Sequence, residues 1–201
     1  HSKTQVITPM VEIDPPSINN NCSRWGIPED KFIFGLHQSA RAGLNSGIPL
    51  EAYSKIENEN NFFVILGGGD EYKEQAEELG LKNFLQLPPV STSKEINSFL
   101  SCLDVYAHGH KDGEVCSSAI IEAMANSLPM ISHVSPYNNG HVAQLSNCGI
   151  VVNHMLEYAY GMLLYEKDVG LIDEAIKATK LKYKNDCDIN VCRNKLLELL
   201  A

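Results

Sequence analysis

Between Lys31 and Val152, short apolar runs and segments of helical period take turns along the chain. "KFIFGLH" (31–37), "FFVIL" (62–66), "NFLQL" (83–87), "DVYAH" (104–108), "PMIS" (129–132) and "GIVV" (149–152) read as strands. The segments between them read as helices over 48–56, 71–79, 93–102, 117–127 and near 139–146, the first with Pro49 at its start. Brief unbroken apolar runs suit strands covered on both faces, and such strands belong to parallel sheets whose crossovers are helices. The expected fold is therefore α/β: a parallel sheet of about six strands with helices on both faces.

Outside that rhythm the chain changes character. Residues 1–30, with "EIDPPSINNN", carry no sustained helical period and read as a lead-in or interdomain segment. Residues 31–153 form the sheet domain, and 154–201 form a C-terminal helical extension packing on it. That extension comprises "MLEYAYGMLLYEKD", "LIDEAIKATKLKYK" and "INVCRNKLLELL", each with apolar residues at helical spacing.

At 201 residues and 44% hydrophobic content the chain suffices for one good-sized core. Sixteen basic against 25 acidic residues give a net charge of −9, which argues against a nucleic-acid surface. No apolar run approaches the roughly 20 residues of a membrane-spanning helix. The six cysteines (Cys22, Cys102, Cys116, Cys148, Cys187 and Cys192) are scattered, without a C-x-x-C pair. Reduced thiols and a cytoplasmic location are the expectation, with peripheral membrane contact through a missing domain left open. Asn21-Cys22-Ser23 fits a glycosylation sequon, a short pattern of low specificity. The chain opens on His1-Ser2 with no visible signal peptide, so an excised piece of a longer protein is expected.

Ligands of a parallel sheet bind beyond the carboxyl ends of its strands. Three loops lie there: His37 to Arg41, Gly67-Gly68-Gly69-Asp70, and the stretch from Gly109 to Ser118. Glycine at 67 and 69 with Tyr72 fails the dinucleotide fingerprint, which disfavours NAD. Those glycines suit close approach of a ligand, Gly68 in particular, and a plain turn equally. In "GEVCSSAIIEAMANSLPMIS" a helix starting near Cys116, Ser117 and Ser118 offers free amides for an anion, or a serine that caps the helix. Glu114 precedes this helix and Glu122 lies inside it among apolar residues, where a buried carboxylate needs a partner. Vicinal hydroxyls of a sugar or ribose are natural partners. His108-x-His110 lacks a third ligand and is poor zinc spacing, so no metal site is expected.

From about Ile27 to Glu166 the chain resembles the nucleotide-sugar-binding half of the retaining GT-B glycosyltransferases of family 4. The likeness rests on Glu114-x7-Glu122 followed by "AMANSLPMIS", and on the order of elements before it. It implies transfer of a sugar from a nucleoside-diphosphate donor to an acceptor with retention, without a bound metal or other cofactor. It also implies an N-terminal acceptor domain that this chain lacks. Glu122 matches the acid on the ribose hydroxyls, and Glu114 the acid near the reacting carbon of the sugar. The amides of Cys116, Ser117 and Ser118 match those facing the sugar and distal phosphate. Leu87 to Val90 match the backbone that meets the base, and Arg41 the cation beside the diphosphate. Two departures stand out: Gly35-Leu36 replaces the family's Gly-Arg, and Glu114-Val115-Cys116-Ser117 lacks two glycines. They leave room for a non-catalytic nucleotide-binding or regulatory module descended from such an enzyme. An oxidoreductase or methyltransferase on a similar sheet is disfavoured by the failed glycine fingerprint.

Overall fold

The computed structural model describes residues 22–200. The sequon asparagine and most of the lead-in segment therefore lie outside the described residues. Six parallel strands form one sheet: β1 (Phe32–Gln38), β2 (Asn61–Gly67), β3 (Phe84–Leu87), β4 (Val105–Ala107), β6 (Met130–His133) and β8 (Gly149–Val152), in the order β3-β2-β1-β4-β6-β8. A separate two-stranded parallel pair joins β5 (Gly113–Glu114) to β7 (Asn138–Asn139).

Helices α1 (Ile48–Tyr53), α2 (Glu71–Leu79), α3 (Ser93–Leu100), α4 (Ser118–Ala125) and α5 (Gly140–Leu145) provide the crossovers, in the sequence order expected. The central strands are covered on both sides, and Phe34, Phe63, Val64, Ile65 and Val105 have no exposed surface. Local chemistry sets the helix starts. Thr92 and Glu95 form a reciprocal cap on α3, with the Glu95 amide donating to Thr92 Oγ1 at 3.2 Å and the hydroxyl to Glu95 Oε2 at 2.6 Å. The helices α6 (Met155–Lys167), α7 (Val169–Lys182) and α8 (Ile189–Leu200) follow β8. α6 packs on α1, β6 and β8, and α7 reaches α4. Between α7 and α8 a π-helical turn spans Tyr183–Cys187, overlapping the last two residues of the helix read over 171–184.

One expectation is corrected. Cys22 and Cys102 are joined in a disulfide, with Cα atoms 5.6 Å apart, tying the segment before β1 to the end of α3. The other four cysteines are free. No helix among the described residues is long and apolar enough to cross a membrane.

Strand order reverses between β1 and β4, since β2 and β3 lie to one side and β6 and β8 to the other. At such a switch point adjacent crossovers leave on opposite faces, and a crevice opens beyond the strand ends. The fold places its principal cleft there.

Candidate functional site

A cavity of about 520 Å³ occupies this crevice. Its lining includes His37 and Arg41 after β1, Val90 after β3, His108, His110 and Glu114 after β4, and Ser118 and Glu122 from α4. Glu114 and Glu122 thus face one shared space, although only one of them belongs to a helix. A neighbouring cavity of about 500 Å³ is lined by Gly68, Lys73 and Leu87. Ala40 and Pro89 form part of both walls.

Each glutamate is held by a histidine. The Glu122 carboxylate, through Oε2, meets His37 Nε2 at 2.7 Å, with the glutamate side chain 17% and the histidine 10% exposed. This is the partner that a carboxylate among Ile120, Ile121, Ala123 and Met124 requires. His37 Nδ1 is buried and finds no partner among the described residues. Glu114 Oε2 meets His108 Nε2 at 2.8 Å, and the other ring nitrogen of His108 meets Ser132 Oγ at 2.8 Å. Burial pushes the His108 imidazole below its ordinary pKa, against the pull of Glu114. Burial pushes the Glu114 carboxyl up, but the hydrogen bond from His108 and the charge interaction with it, with smaller help from Ser117 and His110, outweigh burial and hold the carboxyl below the usual range. His133, at the end of β6, is also pushed down, chiefly by burial. Tyr106, between the two pairs in β4, is held neutral by burial and donates its hydroxyl to the His37 carbonyl at 3.2 Å.

The serines divide the two roles left open by the sequence. Ser117 is fully buried and caps α4: its hydroxyl accepts from the Ile120 amide at 3.4 Å. The Ser117 amide donates to Gln144 Oε1 at 2.7 Å and is not free for an anion. Ser118 lines the cavity. Cys116 and Ser117 line neither cavity, and burial with the nearby Glu114 raises the Cys116 thiol pKa, which keeps it protonated. Gly67 and Gly68 adopt φ of 78° and 75°. A Cβ on Gly68 would sit 2.6 Å from the Tyr72 ring, so the turn and its packing account for these glycines. Among the described residues, no three His, Cys, Asp or Glu side chains gather as a metal site. His108 is committed to Glu114.

The roles of His37 and His108 were not legible in the sequence. His37 meets its carboxylate across 85 residues. His108 does so across six, but through an irregular loop that no period describes.

A profile of the family described as "Glycosyl transferases group 1" matches residues 23–155. No curated protein matches the chain by sequence. Among solved structures, Anabaena Alr3699/HepE in complex with UDP and glucose superposes with a TM-score of 0.76 at 16% identity, covering 89% of this chain and 50% of that one. A glycosyltransferase from Rickettsia africae gives 0.76 at 18%, covering 89% and 49%. The C-terminal domain of a group 1 family protein, LpcC, from Francisella tularensis gives 0.70 at 18%, covering 87% of this chain and 95% of that domain. The chain spans about half the length of the first two.

Proposed function

The chain belongs to the group 1 glycosyl transferases, and from that premise we propose that it is the donor-binding half of a GT-B enzyme. Its donor is a nucleoside-diphosphate sugar, with a uridine nucleotide the first choice because HepE is solved with UDP and glucose. The reaction is transfer of the sugar to an acceptor, with retained configuration and without a bound metal, as in family 4. The acceptor side belongs to a domain outside this chain.

One observation carries this reading: two carboxylates and the first turn of α4 converge on one cavity at the switch point. Glu122 accepts the ribose hydroxyls and Glu114 those of the sugar, each through the oxygen its histidine leaves open. As the sugar departs, negative charge builds on the diphosphate. Arg41 and the α4 terminus at Ser118 are the groups that stabilise it. Glu114 lies on the side where positive charge develops on the sugar. No covalent nucleophile is required, since Ser117 is a buried cap and Cys116 a protonated thiol.

A melting-temperature screen against UDP, GDP, ADP and their sugars tests the assignment. Ligands that bind the folded state raise its melting point by mass action. A rise with UDP-sugars supports the reading; a flat response to every nucleotide removes it. A second reading, a nucleotide-binding module that no longer catalyses, is favoured by Leu36 where the family carries arginine and by the Ser117 amide committed to Gln144. Sugar transfer by the full-length protein decides between the two.

A further inference from the structure

His108 stands between two groups that do not otherwise meet. Nε2 faces Glu114 at 2.8 Å, Nδ1 faces Ser132 Oγ on the adjacent strand β6 at 2.8 Å, and the side chain is 5% exposed. Its orientation is over-determined. The ring lies 5.2 Å from that of His141 in α5 and is stacked 6.5 Å from that of Tyr106, while Tyr158 of α6 donates its hydroxyl to the His108 carbonyl at 2.9 Å.

The proton positions follow by elimination. An ionised carboxylate only accepts, so Nε2 must carry the hydrogen. A neutral ring then leaves Nδ1 as an acceptor, and the group facing it is a hydroxyl, which can donate. Glu114 therefore sets the tautomer, and Ser132, donating to Nδ1, holds the ring in its orientation, as the outer partner of a functional histidine does elsewhere. The Glu114 carboxylate could otherwise rotate; with Oε2 held by His108 and a weaker contact from Ser117, it keeps one orientation at the cavity wall.

Resting on the donor-site reading above, we propose that His108, oriented by Ser132, is a positioning residue that keeps Glu114 ionised and turned to accept a sugar hydroxyl. His108 lines the cavity, but both its ring nitrogens are engaged, by Glu114 and Ser132, and neither is open to a ligand. The groups facing Glu114 are His108, His110 and Tyr106 from β4 and its loop, Cys116 and Ser117 before α4, and His141 from α5. His133 faces His108 from β6. Remove the Nε2 donor and the burial of Glu114 is no longer outweighed, so its carboxyl rises above the ordinary value of 4.5.

The test compares the parent chain with H108F, H108Q and S132A in two measurements. The first follows the Glu114 carboxyl by carbon-13 NMR against pH, with no ligand present, and reads the His108 tautomer from its ring nitrogens. The parent shows the Nε2–H tautomer and a depressed Glu114. H108F moves Glu114 above its ordinary value, and H108Q, whose amide can donate from the same place, brings it back down. S132A keeps the Nε2–H tautomer, which Glu114 sets, but loosens the ring and moves Glu114 part of the way. The second measures UDP and UDP-glucose affinity by calorimetry from pH 5 to 8. H108F loses about tenfold for UDP-glucose, the scale of one charge-assisted hydrogen bond, and keeps its affinity for UDP. That loss deepens as pH falls. An unmoved Glu114 titration in folded H108F overturns the proposal, as does the Nδ1–H tautomer in the parent. If H108F does not fold, an unchanged Glu114 titration in S132A overturns it. A parent chain that binds neither UDP nor UDP-glucose defeats the donor-site reading, while the NMR result still decides the role of His108.

Discussion

Three side chains at the site carry consequences that can be measured singly. Arg41 is the cation in the β1 loop that lines the cavity. Arg41→Ala should weaken UDP about tenfold and leave uridine unaffected, since an arginine–phosphate contact is a charge-assisted one; calorimetry with both ligands checks this. His108 and His133 are both pushed below the ordinary histidine value of 6.5 by burial. Below that value the unfolded chain takes up protons that the folded chain refuses. Stability therefore falls as pH drops through 6.5, by about 1.4 kcal/mol per pH unit for each histidine that stays neutral. Urea unfolding at pH 7.5 and 5.5 measures it, and equal stability at both would contradict these shifts. The two glutamates were legible from spacing and setting, because a helix period places Glu122 and a loop places Glu114. Their histidines were not. Ser117 and Ser118 were indistinguishable in sequence, since a shift of one residue in the helix start exchanges the cap and the cavity-facing position.

Elements show the same division between local and non-local information. Six strands and the crossover helices follow from alternating periodicity, which is local; β5 and β7 do not, because two-residue strands hold no period. Gly113 makes that pair possible. Its φ is 64°, and a Cβ there would fall 1.8 Å from the Asn138 carbonyl oxygen. Gly113→Ala should cost about 2 kcal/mol or more by forcing the left-handed backbone and separating β5 from β7, seen as a lower urea midpoint and a displaced Glu114. The disulfide also escaped the sequence: its cysteines are 80 residues apart and neither belongs to a spacing motif. In chain-entropy terms a closed loop of that length adds about 4 kcal/mol. Cys22→Ser combined with Cys102→Ser should lower stability by about 2–4 kcal/mol relative to the parent in non-reducing buffer, and the difference should vanish in reducing buffer, where the parent loses the bridge too.

At the scale of the molecule, strand order decides where ligands go. Periodicity alone gives no order; the crevice exists because β1 and β4 lie side by side with their crossovers on opposite faces. The net charge of −9 gives a diphosphate no overall attraction, so under the proposed function local groups provide it, namely Arg41 and the α4 terminus. The account stands on Glu114 and Glu122 serving different parts of one ligand in one cavity. Titration calorimetry of Glu122→Ala and Glu114→Ala with UDP and with UDP-glucose tests this most directly. Glu122→Ala should weaken both ligands by about tenfold or more, and Glu114→Ala should weaken UDP-glucose alone. Parent affinities for both ligands in both variants would contradict it.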